Sequence, residues 1–78
     1  MALIEFDSTT LAWAAYSPDQ RLLELGFRTG KVYDYFDVPP ESYRELIQAD
    51  SKGRNFNLHI RNHFRFELVH ARALSSQN

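Results

Sequence analysis

A small α+β fold is what this chain predicts, and three observations carry it. Residues 11 to 37 fall into short apolar runs separated by tight turns. Pro39-Pro40 marks a switch to helical spacing, and Phe64 to Val69 returns to strict alternation. Together they give an antiparallel sheet, a three-strand meander plus one C-terminal strand. Two consecutive helices pack on one face, in the order βββααβ.

Leu11 to Tyr16 reads as the first strand, and Ser17-Pro18-Asp19-Gln20 as a turn with proline at its second position. Leu22 to Phe27 is the second strand, with Leu23, Leu25 and Phe27 on one face. Arg28-Thr29-Gly30-Lys31 closes a hairpin whose glycine can take a positive φ, and Val32 to Phe36 is the third strand. These links are too short for parallel crossovers. Pro40 suits the first helical turn, Glu41 favours its positive end, and Tyr43, Leu46 and Ile47 recur at helical spacing. Ser51 is the expected N-cap of a second helix running to about His63, with Phe56, Ile60 and Phe64 aligned. Phe64 to Val69 then forms the last strand, and Ala73 to Asn78 reads as a frayed tail.

The 78 residues make one domain, with its core at about 8–70 and a tail at 71–78, near the lower size for a self-sufficient core. Eleven aromatic residues supply large core area from few positions. With no cysteine, disulfide frameworks and thiolate metal sites are excluded. No apolar run approaches the roughly 20 residues of a membrane span, and the acidic start (Glu5, Asp7) is unlike a signal peptide, so a cytoplasmic location is expected. The net charge of −1 is unevenly spread: the bases Lys52, Arg54, Arg61, Arg65 and Arg72 face only Glu67 in residues 52–78. Such a chain can present a basic end to a polyanion while staying near neutral.

Tyr33 and Tyr35 should project side by side from one face, about 7 Å apart. Such a pair can stack nucleobases, or it can cover the sheet as core. Ser51-Lys52-Gly53-Arg54 has the ingredients of a phosphate site: a helix start, a glycine that permits close approach and two bases. The alternative is an N-cap followed by solvated bases. Arg61 and Arg65, four apart, extend the same positive stripe if the helix continues to Phe64. His59 and His63 are spaced i, i+4, but no motif offers a third ligand, so no metal and no cofactor is expected. Asp34, Asp37 and Glu41 are scattered along strand and turn rather than paired, and no serine lies in a nucleophile elbow. The chain is therefore not expected to be an enzyme.

The Tyr33-Asp34-Tyr35 pair, the following Val38-Pro39, and the run Ser51-Lys52-Gly53-Arg54-Asn55-Phe56-Asn57 with Ile60-Arg61 resemble the KTSC domain. The resemblance spans roughly residues 8 to 68, with the Y-x-Y motif as its hallmark. That family takes its name from the C-terminus of some lysyl-tRNA synthetases and also occurs as free-standing bacterial or phage proteins. The attachment to a synthetase implies RNA binding by association.

The expected function is thus a non-catalytic module that recognises RNA or another nucleotide-bearing anion. Tyr33 and Tyr35 would stack bases, while Lys52, Arg54 and Arg61 contact phosphates. Ser51 and Gly53 would offer backbone N–H groups. The rival is a protein-interaction module, a homodimer formed through an exposed sheet edge, with the Trp13-bearing first strand as that edge. A small-nucleotide pocket is a third reading.

Overall fold

The computed structural model describes residues 2–70. Its strands are β1 (Leu3–Glu5), β2 (Leu11–Ser17), β3 (Leu22–Phe27), β4 (Val32–Tyr35) and β5 (Phe66–His70). Between β4 and β5 come α1 (Pro40–Gln48) and the short α2 (Lys52–Asn55), which runs on into a π-helical turn at Phe56–Ile60. The sheet is antiparallel throughout and ordered β1-β2-β3-β4-β5. The tail expected at residues 73–78 lies outside the described residues.

Local chemistry explains most boundaries. Gly30 takes φ 96° to close the β3–β4 hairpin, and its N–H donates to the Phe27 carbonyl at 2.9 Å. Pro39 stays extended, so Pro40 opens α1 with Glu41 in its first turn. The Ser51 hydroxyl accepts from the Arg54 N–H at 3.2 Å, the N-cap expected for α2.

Cross-strand register sorts the side chains. Ala14, Leu25, Tyr33 and Leu68 form one row, and Tyr16, Leu23, Tyr35 and Phe66 the next, both on the face that the helices cover. Leu46 from α1 and Phe56 and Ile60 from the second helical segment close over these rows, with Val38 completing the buried core. The opposite face carries Ala15, Glu24, Asp34 and Glu67 in one row, and Trp13, Gly26 and Val32 in another.

Three expectations need correction. An additional strand, β1, pairs outside the Leu11–Ser17 strand, which is therefore interior and cannot act as an edge. Its three residues are too few to show periodicity. The second helix ends at Ile60 rather than near His63, because the π-turn spends an extra residue and Asn62 then turns the chain at φ 66°. As a result β5 begins at Phe66, two residues later than the alternation suggested.

Candidate functional site

Two recesses lie on the helix side of the sheet and share a border. The first, of about 720 Å³, is lined by Asp7 to Thr10 on one side and by Asp50 to Arg54, Asn57 and Leu58 on the other. The second, of about 530 Å³, is lined by aromatic rings from β3, β4, β5 and the π-turn, with Asn57, Arg61 and Asn62 at its rim. Thr10 and Asn57 border both, so they form the waist of one groove. Gly53 makes that waist tight: a Cβ there would stand 2.8 Å from the Thr10 hydroxyl.

The tyrosine pair lines the second recess. The two rings are 6.4 Å apart, as the shared face of a strand requires, but they are unequally placed. Tyr35 is only 4 % exposed, wedged between Phe56 at 5.8 Å and Phe66 at 5.8 Å, and forms the floor. Tyr33 is half-buried against Phe27 and Phe66 and forms a wall. Burial pushes the Tyr35 phenol up to about 12; the Tyr33 neighbour adds to this and the Arg61 charge opposes it. Tyr35 is therefore a hydroxyl donor throughout the neutral range.

Arg61 is aimed by the turn that precedes it. Its N–H donates to the Phe56 carbonyl at 2.8 Å, its backbone is extended, and its guanidinium reaches Asn57 Oδ1 at 3.4 Å. The other cations are less equivalent than their types suggest. Lys52 turns inward, donating to the Ala49 carbonyl at 2.6 Å with its ammonium 5.6 Å from the Phe6 ring centre. Arg54 is exposed on the rim of the first recess. The Ser51 hydroxyl is spent as the helix cap, which leaves the Lys52 and Gly53 N–H groups as the donors of that first turn. Asp7 and Asp50 line the same recess and offset part of its positive charge.

The seven residues that the sequence assigned to ligand binding thus border one groove, although the tyrosine pair is recessed rather than displayed. Arg65 does not join it, because its guanidinium lies 4.1 Å from the Phe36 ring centre. Thr10, Phe27, Phe56, Asn57, Asn62 and Phe66 complete the lining of the second recess, and the sequence assigned none of them to a site. For Phe66 the period-two alternation of its strand was the available signal; Thr10 carried none. His59 and His63 do not share a helix face, since the helix stops between them. Among the described residues no cluster of three His, Asp or Glu side chains is placed to hold a metal, and no helix is long and apolar enough to cross a membrane.

The KTSC domain model matches residues 7–64. A protein of Stutzerimonas stutzeri is 42% identical over 57 residues, covering 73% of this chain and 80% of that one. A lysine–tRNA ligase of Nostoc punctiforme is 35% identical over 67 residues, covering 86% of this chain but 12% of the ligase. The crystal structure of a KTSC domain protein from Yersinia pestis superposes with a TM-score of 0.84 at 31% identity, covering 88% of this chain and all of that one.

Proposed function

Because the chain belongs to the KTSC domain family, we propose that it is a non-catalytic binding module whose ligand is RNA or another nucleotide-bearing anion, held along the groove. One observation carries this reading: an aromatic recess and a recess edged by Arg54 and Gly53 meet at Thr10 and Asn57. A nucleotide needs that adjacency, a flat surface for its base beside N–H groups and cations for its phosphate. The similarity to part of a lysine–tRNA ligase, a protein whose name ties it to RNA, supports the same class of ligand. The roles divide by placement. Tyr33 offers the accessible ring, Tyr35 the floor, and Arg61 and Arg54 the exposed cations. Lys52 acts mainly by holding the start of the second helix.

Titration of the protein with a pool of short RNAs and free nucleotides, at low and moderate salt, tests this. Binding should weaken as salt rises, and Tyr33→Ala should cost about 1–3 kcal/mol of affinity. A folded Tyr33→Ala, Arg61→Ala double variant that binds as well as the wild type refutes the reading.

A second reading has its own support. The β5 edge exposes Phe66 (51 %), Leu68 (51 %) and Val69 (50 %), a strand suited to pairing with a second copy. A sedimentation mass of twice the chain weight would favour it, and a monomer at high concentration would dismiss it.

A further inference from the structure

The aromatic recess is a chamber rather than a platform. Proteins that read several bases lay successive rings along an open sheet. Here the rings turn toward one another. Phe27 meets Tyr33 at 84° and Phe56 at 74°, Tyr35 meets Phe56 at 77°, and Tyr33 meets Phe66 at 59°. Along the strand itself Tyr35 is tilted only 37° from Tyr33, at 6.4 Å, but it is 4 % exposed, so Tyr33 alone offers an accessible ring there. The volume of about 530 Å³ lies within the lower part of the range for single small-molecule sites, ~300–1,000 Å³.

The mouth of the chamber is polar in a particular way. Thr10, Asn57 and Asn62 offer both donors and acceptors, and Arg61 offers a planar guanidinium. A purely hydrocarbon ring would leave those groups unmatched. A nucleobase, flat in the middle and studded with donors and acceptors at its edge, matches both parts. Arg61 is exposed and tethered only through its own turn and Asn57, so it can swing over a bound ring.

Resting on the nucleotide-binding reading above, we propose that this chamber takes one base, with Tyr33 and Phe66 against the ring and Arg61 across the mouth. The module then contacts a single unpaired nucleotide instead of tracking a strand. Its ligand is a free nucleotide or one exposed base of an RNA, and neighbouring nucleotides add only phosphate contacts.

The test compares adenosine and cytidine monophosphates with RNA oligomers of two to about eight nucleotides, a length within the usual ~4–16-nucleotide footprint of strand-tracking domains. Wild type, Phe66→Ala, Phe66→Leu and Arg61→Lys are titrated by calorimetry and by amide chemical-shift mapping. Phe66 is half exposed, so both its variants should fold, and thermal melts check this. A monophosphate should bind and shift the amides of Thr10, Asn57 and Asn62. Lengthening the oligomer from two to eight should raise affinity less than tenfold. Phe66→Ala and Arg61→Lys should weaken monophosphate and oligomer by the same factor, fivefold or more, with Phe66→Leu intermediate. Tight binding of the long oligomers without monophosphate binding, or a Phe66→Ala variant that binds the monophosphate normally, overturns the one-base chamber and leaves the broader RNA reading standing. Failure of every nucleotide and oligomer to bind overturns both.

Discussion

The indole of Trp13 occupies the volume that a side chain at Gly26 would fill. The two residues are cross-strand partners on β2 and β3, on the sheet face that no helix covers. Glycine at that position lets the large ring lie against the backbone, so a bulky apolar group is partly sheltered on an otherwise open surface. Gly26→Ala should evict the indole and destabilise the domain by about 1–3 kcal/mol, the usual cost of overpacking. Because the chain has a single tryptophan, the eviction has its own reporter. Emission from Trp13 should shift to the red in the folded variant, and urea unfolding should show the loss. An unchanged spectrum and midpoint would mean the contact is dispensable.

Tyr16 fastens the loop ahead of α1 to the sheet. Its hydroxyl donates to the Val38 carbonyl at 2.6 Å in a buried setting, and its ring stacks on Tyr43 at 4.7 Å and 14°. Tyr16→Phe keeps the ring and strands the carbonyl, so it should cost about 1–3 kcal/mol. Tyr43→Leu loses the stacking and should cost less, about 0.5–1.5 kcal/mol. Denaturant melts of the two variants check the order, and a Tyr16→Phe variant as stable as wild type would show that water replaces the bond freely.

The meander and the start of α1 were legible because their signals are local: Leu23 and Leu25 alternate, Gly30 supplies a positive φ, and Pro40 presets a helix. Tyr33 and Tyr35 were placed together for the same reason. Which face they occupy was not legible. The alternate positions Val32, Asp34 and Phe36 were no more obviously core than the tyrosines, and only the register that sets Asp34 opposite Glu24 and Glu67 separates the faces. The β1 strand hid because Leu3-Ile4-Glu5 is short and both apolar residues stay largely exposed. The π-turn hid because Phe56 and Ile60 keep helical spacing and are both buried, as an ordinary helix would bury them. Contacts between distant segments, such as Thr10 with Gly53, have no counterpart in the order of residues along the chain.

Alkaline stability should report on the chamber floor. The Tyr35 phenol is held neutral up to about 12 when folded, against 10.0 for the ordinary group. Its folded value is raised, so the stability it contributes is complete below pH 10 and is lost as the pH climbs from 10 through about 12. Tyr35→Phe removes this proton and should flatten the decline over that window, while Tyr16 and Tyr43, also raised by burial, keep a residual slope. Ellipticity followed from pH 9 to 12.5 in both proteins measures it. Parallel curves would show that the Tyr35 hydroxyl ionises as freely folded as unfolded.

On the open face, Glu24 sits directly across from Asp34, and Asp34 from Glu67, so three carboxylates cross the sheet in one row. Burial raises the Glu24 carboxyl above its ordinary 4.5, helped by its hydrogen bond to Asp34 and by the charge of that neighbour. The sign follows from linkage: a carboxyl that holds its proton more tightly when folded favours the fold below about 4.5, and that benefit fades as pH rises through the folded value. Where both carry charge, Glu24 and Asp34 repel across the sheet, by roughly 0.2–1 kcal/mol for like charges directly opposite. Glu24→Gln keeps a side-chain donor for Asp34 and removes the charge. It should raise stability by roughly 0.5 kcal/mol at pH 7, and by less at pH 4, where the raised wild-type carboxyl carries less charge. Urea midpoints at the two pH values decide it. A Glu24→Gln variant less stable at pH 7 than the wild type would mean that the row is held by a cation or water network instead of being strained by its own charge.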